Sequence, residues 1–202
     1  MTNPSRALLG SITERLRRVE PIERVEGETA SVAAIFRNDP RGEEVLLIKR
    51  ADRAGDPWSG DVAFPGGRVE AEDSSFRETA VREAREEVGV DLTADARFLG
   101  YMGAFRTRRK GIWVVPSLFL VTGKPMVRKN NEVSSHMWVP LHELLREENR
   151  STYSPGGEGG DRSFPSFNLG GYTVWGLTER ILSSMMGPTA GGTGQPTSRR
   201  TS

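Results

Sequence analysis

Apolar positions along the chain recur with two periods. Between residues 5 and 19, Leu8, Leu9, Ile12 and Leu16 fall near a 3.6-residue repeat with Arg and Glu between them, which predicts an amphipathic helix at the domain edge. Residues 31–37 (SVAAIFR) and 44–50 (EVLLIKR) are strand-like runs, and the turn chemistry of Asn38-Asp39-Pro40-Arg41-Gly42 joins them as a hairpin. After the polar stretch 51–60, the short apolar piece Val62-Ala63-Phe64 is stopped by Pro65-Gly66-Gly67. Proline ends pairing and glycine permits unusual backbone angles, so the chain reverses there.

Ser75-Phe76-Arg77-Glu78 reads as a capping box and Gly89 as the residue that ends a helix, which predicts a helix over 76–88. Residues 97–105 and 112–122 are aromatic and β-branched and predict two strands around the basic segment 106–110. A further strand is expected over 133–139, then a short helix over 141–146. Residues 149–163 form a Gly-rich insertion that buries little, and 187–202 a Gly/Thr/Ser tail expected to be disordered. Between them, 172–185 turns apolar again and ends in a helix that docks. Strands interleaved with two or three helices imply an α/β (α+β) sandwich with a mixed sheet.

The chain's 202 residues suit one domain with extensions. Its 28 basic and 27 acidic residues leave a net charge of +1, so bulk charge makes no case for a nucleic-acid or membrane partner. Zero cysteines exclude a disulfide framework, a thiolate zinc site and a Cys nucleophile. The longest strongly apolar run, 112–121, is too short to span a bilayer, and residues 1–24 lack the apolar core of a signal peptide. A soluble, cytoplasmic protein is expected.

The informative chemistry lies between Gly66 and Val90. At 100° per residue, with Glu83 at 0°, Glu86 falls at about −60° and Glu87 at about +40°, so three carboxylates share one helix face. Ala80, Val81, Ala84 and Val88 fall beside them on a face suited to packing on a sheet. Crowded carboxylates resist joint ionisation, and a hard cation such as magnesium or manganese would relieve that while clamping phosphate oxygens. A solvated Glu-rich helix with Arg82 and Arg85 as counterions is the plainer alternative.

The run Arg82-Glu83-Ala84-Arg85-Glu86-Glu87-Val88-Gly89 resembles the Nudix box of Nudix hydrolases, with one residue more than usual between Gly67 and Arg82. That insertion, with Asp73 at the box's acidic position, is similar to the coenzyme A pyrophosphatase branch. Residues 45–50 (VLLIKR), 60–67 (GDVAFPGG) and 172–178 (YTVWGLT) resemble that branch too, so the likeness covers roughly 30–185. Ala51 and Trp58 stand where the branch carries Ser and His.

The resemblance implies a Nudix-like α/β/α sandwich: an N-terminal helical extension over 1–24, the hydrolase domain over 25–186, and the tail. It implies metal-dependent hydrolysis of a nucleoside diphosphate-linked substrate with Mg2+ or Mn2+, coenzyme A giving 4′-phosphopantetheine and adenosine 3′,5′-bisphosphate. Glu83, Glu86 and Glu87 carry over as metal ligands, with the Gly67 carbonyl as a further one. By the same resemblance the base is Glu86 or Glu132; Glu132 resembles a distal family glutamate that serves as ligand or base and reads equally as an ordinary loop-edge glutamate, and Arg82 reads as an orienting residue.

Arg106, Arg108, Arg109 and Lys110 form the densest basic cluster and could hold phosphates opposite a metal site, or be a solvated hairpin tip. Arg50, at a strand end, could meet phosphate or pair with a nearby acid. Trp58 and Phe64 are candidates to stack on adenine, with core packing favoured for Phe64, and Trp175, His136 and His142 read as structural. The expected partner is a small nucleotide substrate, with no nucleic acid and no membrane, and a homodimer is an open option. The competing readings are a Nudix hydrolase for ADP-ribose or another nucleotide diphosphate, a non-catalytic Nudix-fold binding module, and an RNA-associated protein using 106–110.

Overall fold

The computed structural model describes residues 8–16, 27–56, 58–108, 110–155 and 162–187. Its framework is an antiparallel hairpin of β1 (Thr29–Asp39) and β2 (Gly42–Arg50), in which Asp39 pairs with Gly42. Pro40 and Arg41 alone make the turn, closed by the Arg41 N–H donating to Asp39 Oδ1 at 3.1 Å. The strands thus run deeper into the expected loop than their apolar runs suggest.

Toward the other end β1 and β2 pair with short strands of the same intervening segment. There β3 (Val62–Ala63) pairs with Ile48 and Lys49, and β4 (Gly66–Arg68) pairs with Ala30–Val32. The expected reversal at Pro65 is where the chain passes from one strand to the other, and Ala33 N–H donates to the Pro65 carbonyl at 2.7 Å.

On its far edge β1 runs parallel to β7 (Trp113–Val121), and β8 (Val133–Pro140) lines the free edge of β2, so the sheet is mixed. The span 97–105 is not one strand: β5 (Ala96–Tyr101), bulged between Phe98 and Gly100, and β6 (Phe105–Arg106) pair separately with β7. A glycine at φ +132° and another at position 103 interrupt a run whose composition is otherwise strand-like.

Side chains alternate across the sheet. Ala33, Ile35, Leu46, Ile48 and Phe119 pack with Ala80, Ala84 and Val88 of α2 (Phe76–Val88). Ala34, Phe36, Val45 and Leu47 face the opposite way, toward Leu9 and Ile12 of α1 (Leu8–Leu16) and Ile181, Leu182 and Met185 of α3 (Gly176–Met186). The result is an α/β/α sandwich. Leu9 and Ile12 are buried in this core, so the described part of α1 is more than an edge decoration; each such burial contributes roughly 1.5–3 kcal/mol. The rest of 1–24 lies outside the described residues.

The segment over 141–146 forms a tighter 3-10 helix, Leu141–Leu145. Within the Gly-rich insertion, β9 (Arg150–Tyr153) is described and none of its residues is buried; it pairs with β10 (Phe164–Leu169), which follows the insertion and pairs in turn with β11 (Tyr172–Trp175), a separate antiparallel sheet in which Phe167, Leu169 and Val174 are buried. Residues 156–161 and the tail beyond Gly187 lie outside the described residues. Among the described residues, no helix is long and apolar enough to cross a membrane.

Candidate active site

The acidic helix α2 is fixed at both ends. Ser75 Oγ accepts the Glu78 N–H at 3.2 Å, but the Glu78 carboxylate returns to the N–H and hydroxyl of Ser74 (2.8 and 2.7 Å), so the reciprocal bond falls one residue earlier than a capping box. Gly89 ends the helix at φ +66°. The exposed carbonyls of the last turn are taken by the chain before β8: Arg128 N–H donates to Val88 O at 2.8 Å and Asn130 N–H to Glu87 O at 3.0 Å. That docking brings Glu132 to the end of the helix that carries Glu87.

Against α2 lies the Gly66-Gly67 start of β4, just after the reversal at Pro65. A methyl on Gly66 would stand 2.5 Å from Ser31 O and 2.6 Å from Val32 Cα, so only glycine lets β4 approach β1 there. A methyl on Gly67 would overlap the Glu83 carboxylate. Gly66 N–H donates to Glu87 Oε2 at 2.9 Å. Glu87 is 3% exposed, and the Glu83 and Glu86 side chains 14% and 56%.

Burial pushes the Glu87 carboxyl up to about 7; the Gly66 N–H opposes this, Glu83 adds to it, Arg50 opposes it and Glu132 adds again. Glu83 is raised as well, first by burial, against the pull of Arg82 and with help from Glu86 and Glu132. The four carboxylates therefore act on one another.

Arg82 clamps the loop to the helix. It donates to Glu83 Oε1 (2.8 Å), Asp73 Oδ2 (2.9 Å) and the Arg68 carbonyl (3.0 Å), and lies 3.5 Å from Glu86 Oε2. Asp73 also accepts from Thr79 Oγ1 and Glu70 N–H, both at 2.9 Å, which closes the loop carrying the extra residue. These are the contacts of an orienting residue.

The donor set fits a hard divalent cation: Glu83 and Glu87 are partly desolvated carboxylates with raised proton affinity beside a glycine backbone. Among the described residues no three acidic or imidazole side chains converge as a closed cage. Each carboxylate has its own partner instead: Gly66 N–H for Glu87, Arg82 for Glu83 and Glu86, and Arg53 for Glu132, at 3.0 Å.

The basic residues divide. Arg50 pairs with Asp56 at 2.8 Å, keeps a buried Nε without a hydrogen-bond partner, and acts on Glu87 through its charge. Arg106, Arg108 and Lys110 are exposed near the β6–β7 connection, and Arg109 lies outside the described residues. None of the three described forms an ion pair with the acidic face; each lies over an aromatic ring, Lys110 Nζ 5.0 Å from the Trp58 centroid and the Arg108 guanidinium 5.0 Å from that of Phe164.

Phe64 is buried in the core. Trp175 donates its indole N–H to Asp61 at 3.0 Å and Thr178 its hydroxyl to the Val62 carbonyl at 2.9 Å, so the YTVWGLT segment braces the approach to the glycine pair. Asp56 is the nearby acid that the alternative reading of Arg50 expected, whereas Arg53 escaped sequence reading, because it stands in a polar loop with no periodicity and its partner Glu132 is 79 positions away.

Fold and site together define an α/β/α sandwich presenting a carboxylate-bearing helix to a glycine pair. A family model of the NUDIX domain matches residues 27–155, and the chain belongs to that family. The peroxisomal coenzyme A diphosphatase ndx-8 of Caenorhabditis elegans is 38% identical over 132 residues, 63% of this chain and 56% of the nematode protein. The chain thus spans little more than half of that relative. A Yersinia pestis protein named uncharacterized Nudix hydrolase NudL is 33% identical over 140 residues, 68% of each chain. Among solved structures, a MutT/nudix family protein from Enterococcus faecalis matches at a TM-score of 0.51 and 19% identity, covering 88% of this chain and 67% of that one, a likeness of fold.

Proposed function

We propose that this protein is a metal-dependent Nudix pyrophosphatase that hydrolyses a nucleoside diphosphate-linked substrate, coenzyme A or a derivative before others, to 4′-phosphopantetheine and adenosine 3′,5′-bisphosphate. The observation that carries the reading is the seating of Glu83 and Glu87 against Gly66-Gly67, with Glu86 and Glu132 at the rim. The likeness to the nematode coenzyme A diphosphatase supports the choice of substrate.

A bound magnesium or manganese ion would neutralise the diphosphate oxygens and acidify the attacking water. Glu83, Glu86, Glu87 and the Gly67 carbonyl would hold it. Water attacks one phosphorus, its proton passes to Glu86 or Glu132, and the bond from that phosphorus to the bridging oxygen breaks, leaving two phosphomonoesters. Arg50, Arg106, Arg108 and Lys110 would meet the substrate's phosphates, the last three from the exposed β6–β7 connection. The reading includes a cytoplasmic location; the peroxisomal label belongs to the nematode relative.

One observation favours a second reading. Ala51 and Trp58 replace the Ser and His of the coenzyme A branch, and Trp58 lies beneath Lys110, an arrangement open to other nucleotide diphosphates such as ADP-ribose. Product analysis with coenzyme A, ADP-ribose, NADH and diadenosine polyphosphates, with each metal and with chelator, separates the two. Release of 4′-phosphopantetheine supports the first; cleavage of another substrate alone keeps the chemistry and discards the specificity. No turnover on the whole panel points to a binding module.

A further inference from the structure

Arg53 lies in the loop between β2 and β3, and its guanidinium is directed at the rim of the acidic face. Nη1 donates to Glu132 Oε1 at 3.0 Å and Nη2 to Asn131 Oδ1 at 3.5 Å. The segment it grips is the one hydrogen-bonded to the end of α2 through Asn130 and the Glu87 carbonyl, and Ala51 N–H donates to the Glu132 carbonyl at 2.7 Å. Arg53 is therefore one carboxylate removed from Glu83 and Glu87.

Its side chain is not what fixes the loop. Other bonds do that, two between backbone groups, Arg50 N–H to Asp61 O (3.0 Å) and Asp56 N–H to Arg53 O (3.2 Å), and two from backbone N–H to side chains, Arg53 N–H to Ser59 Oγ (2.7 Å) and Trp58 N–H to Asp56 Oδ1 (3.0 Å). The Arg53 and Glu132 side chains are 43% and 41% exposed, and an ion pair so wetted is worth roughly 0–1 kcal/mol. Glu132 takes only Nη1, while Nη2 reaches Asn131 Oδ1 at 3.5 Å, so a phosphate that accepts from both nitrogens in parallel can displace this contact.

We propose that Arg53 is a substrate-binding residue of the diphosphate site, whose guanidinium exchanges Glu132 for the phosphate oxygens of the bound substrate and so releases the Glu132 carboxylate toward the reacting phosphorus. The assignment rests on the diphosphatase reading above and adds to it a residue outside the box.

The probe is methylenediphosphonate, whose carbon bridge resists hydrolysis, titrated by calorimetry into the full chain with magnesium present. Arg53→Gln weakens its binding by about tenfold or more, as expected for loss of a charged hydrogen-bond pair, and Arg53→Lys falls between. With the substrate that turns over, Arg53→Gln raises KM by a similar factor and leaves kcat within about threefold, while the thermal midpoint stays within about 2 °C of wild type. Equal affinity of wild type and Arg53→Gln overturns the assignment and leaves the diphosphatase reading intact. Weakened binding accompanied by a fall of more than about 5 °C assigns Arg53 to the loop's structure and overturns it too. If the wild type itself fails to bind the probe, both fall.

Discussion

The acidic face of α2 and the basic β6–β7 connection carry opposite charge in opposite ways. Glu83 and Glu87 stand on a helix capped at both ends, clamped by Arg82 and pressed on a glycine pair, and burial raises their proton affinity. Arg106, Arg108 and Lys110 are exposed and rest on aromatic rings. Arg106 also donates its Nε–H to the Gly111 carbonyl at 3.2 Å; a cation over a ring face can still offer its remaining hydrogen-bond donors to another partner. Groups that must fix a geometry are locked by the fold, whereas groups that must accommodate a ligand are held loosely.

The largest effect that could break this contrast is on the locked side. Glu87→Gln, which removes a charged ligand from the proposed metal site, is expected to cut turnover roughly 10³-fold while the protein still folds, measured by product release beside a melting curve. A loss of tenfold or less would remove Glu87 from the chemistry.

The two glycines sharpen the contrast within the locked side. Gly66→Ala meets backbone at 2.5–2.6 Å and should cost stability, on the order of 1–3 kcal/mol in chemical denaturation. Gly67→Ala meets the Glu83 carboxylate and no backbone, so it should displace that side chain from its place and cost activity more than stability. Equal effects of the two on both measurements would contradict the geometry.

On the loose side, Arg108→Ala and Lys110→Ala should raise KM severalfold with kcat nearly unchanged in steady-state assays. A selective fall in kcat would place them in the locked set.

The smallest effect is on stability against pH. The folded Glu87 carboxyl titrates near 7 and the unfolded one near 4.5, so the folded state holds a proton that the unfolded state has released between those values. Its stabilising contribution is full below about 4.5 and is lost as pH rises through about 7. With chelator, the melting temperature should therefore fall by a few degrees from about pH 5 to 8, and Glu87→Gln should flatten that slope. Magnesium should restore more at the alkaline end.

Local signals explain what the sequence made legible. Ser75, Gly89 and the 3.6-residue spacing of Ala80, Ala84 and Val88 all act within one helix, and that helix forms over 76–88. The acidic face followed from the same spacing. The parallel pairing of β1 with β7 left no mark in either strand, because register between distant strands depends on the core they share. The sheet of β9, β10 and β11 was hidden because β9 lies at the start of the Gly-rich insertion and its partner β10, with buried Phe167 and Leu169, comes only after it. Arg53 and Glu132 are 79 positions apart, a contact created by the docking of residues 128–130 on the end of α2.

The most direct test of the account is release of adenosine 3′,5′-bisphosphate from coenzyme A by the wild type and by Glu87→Gln, each with magnesium and with chelator. The account predicts release by the wild type with magnesium, roughly 10³-fold slower release by Glu87→Gln with magnesium, and none above background from either with chelator. Release that survives chelator, or that Glu87→Gln leaves at the wild-type rate, would contradict it.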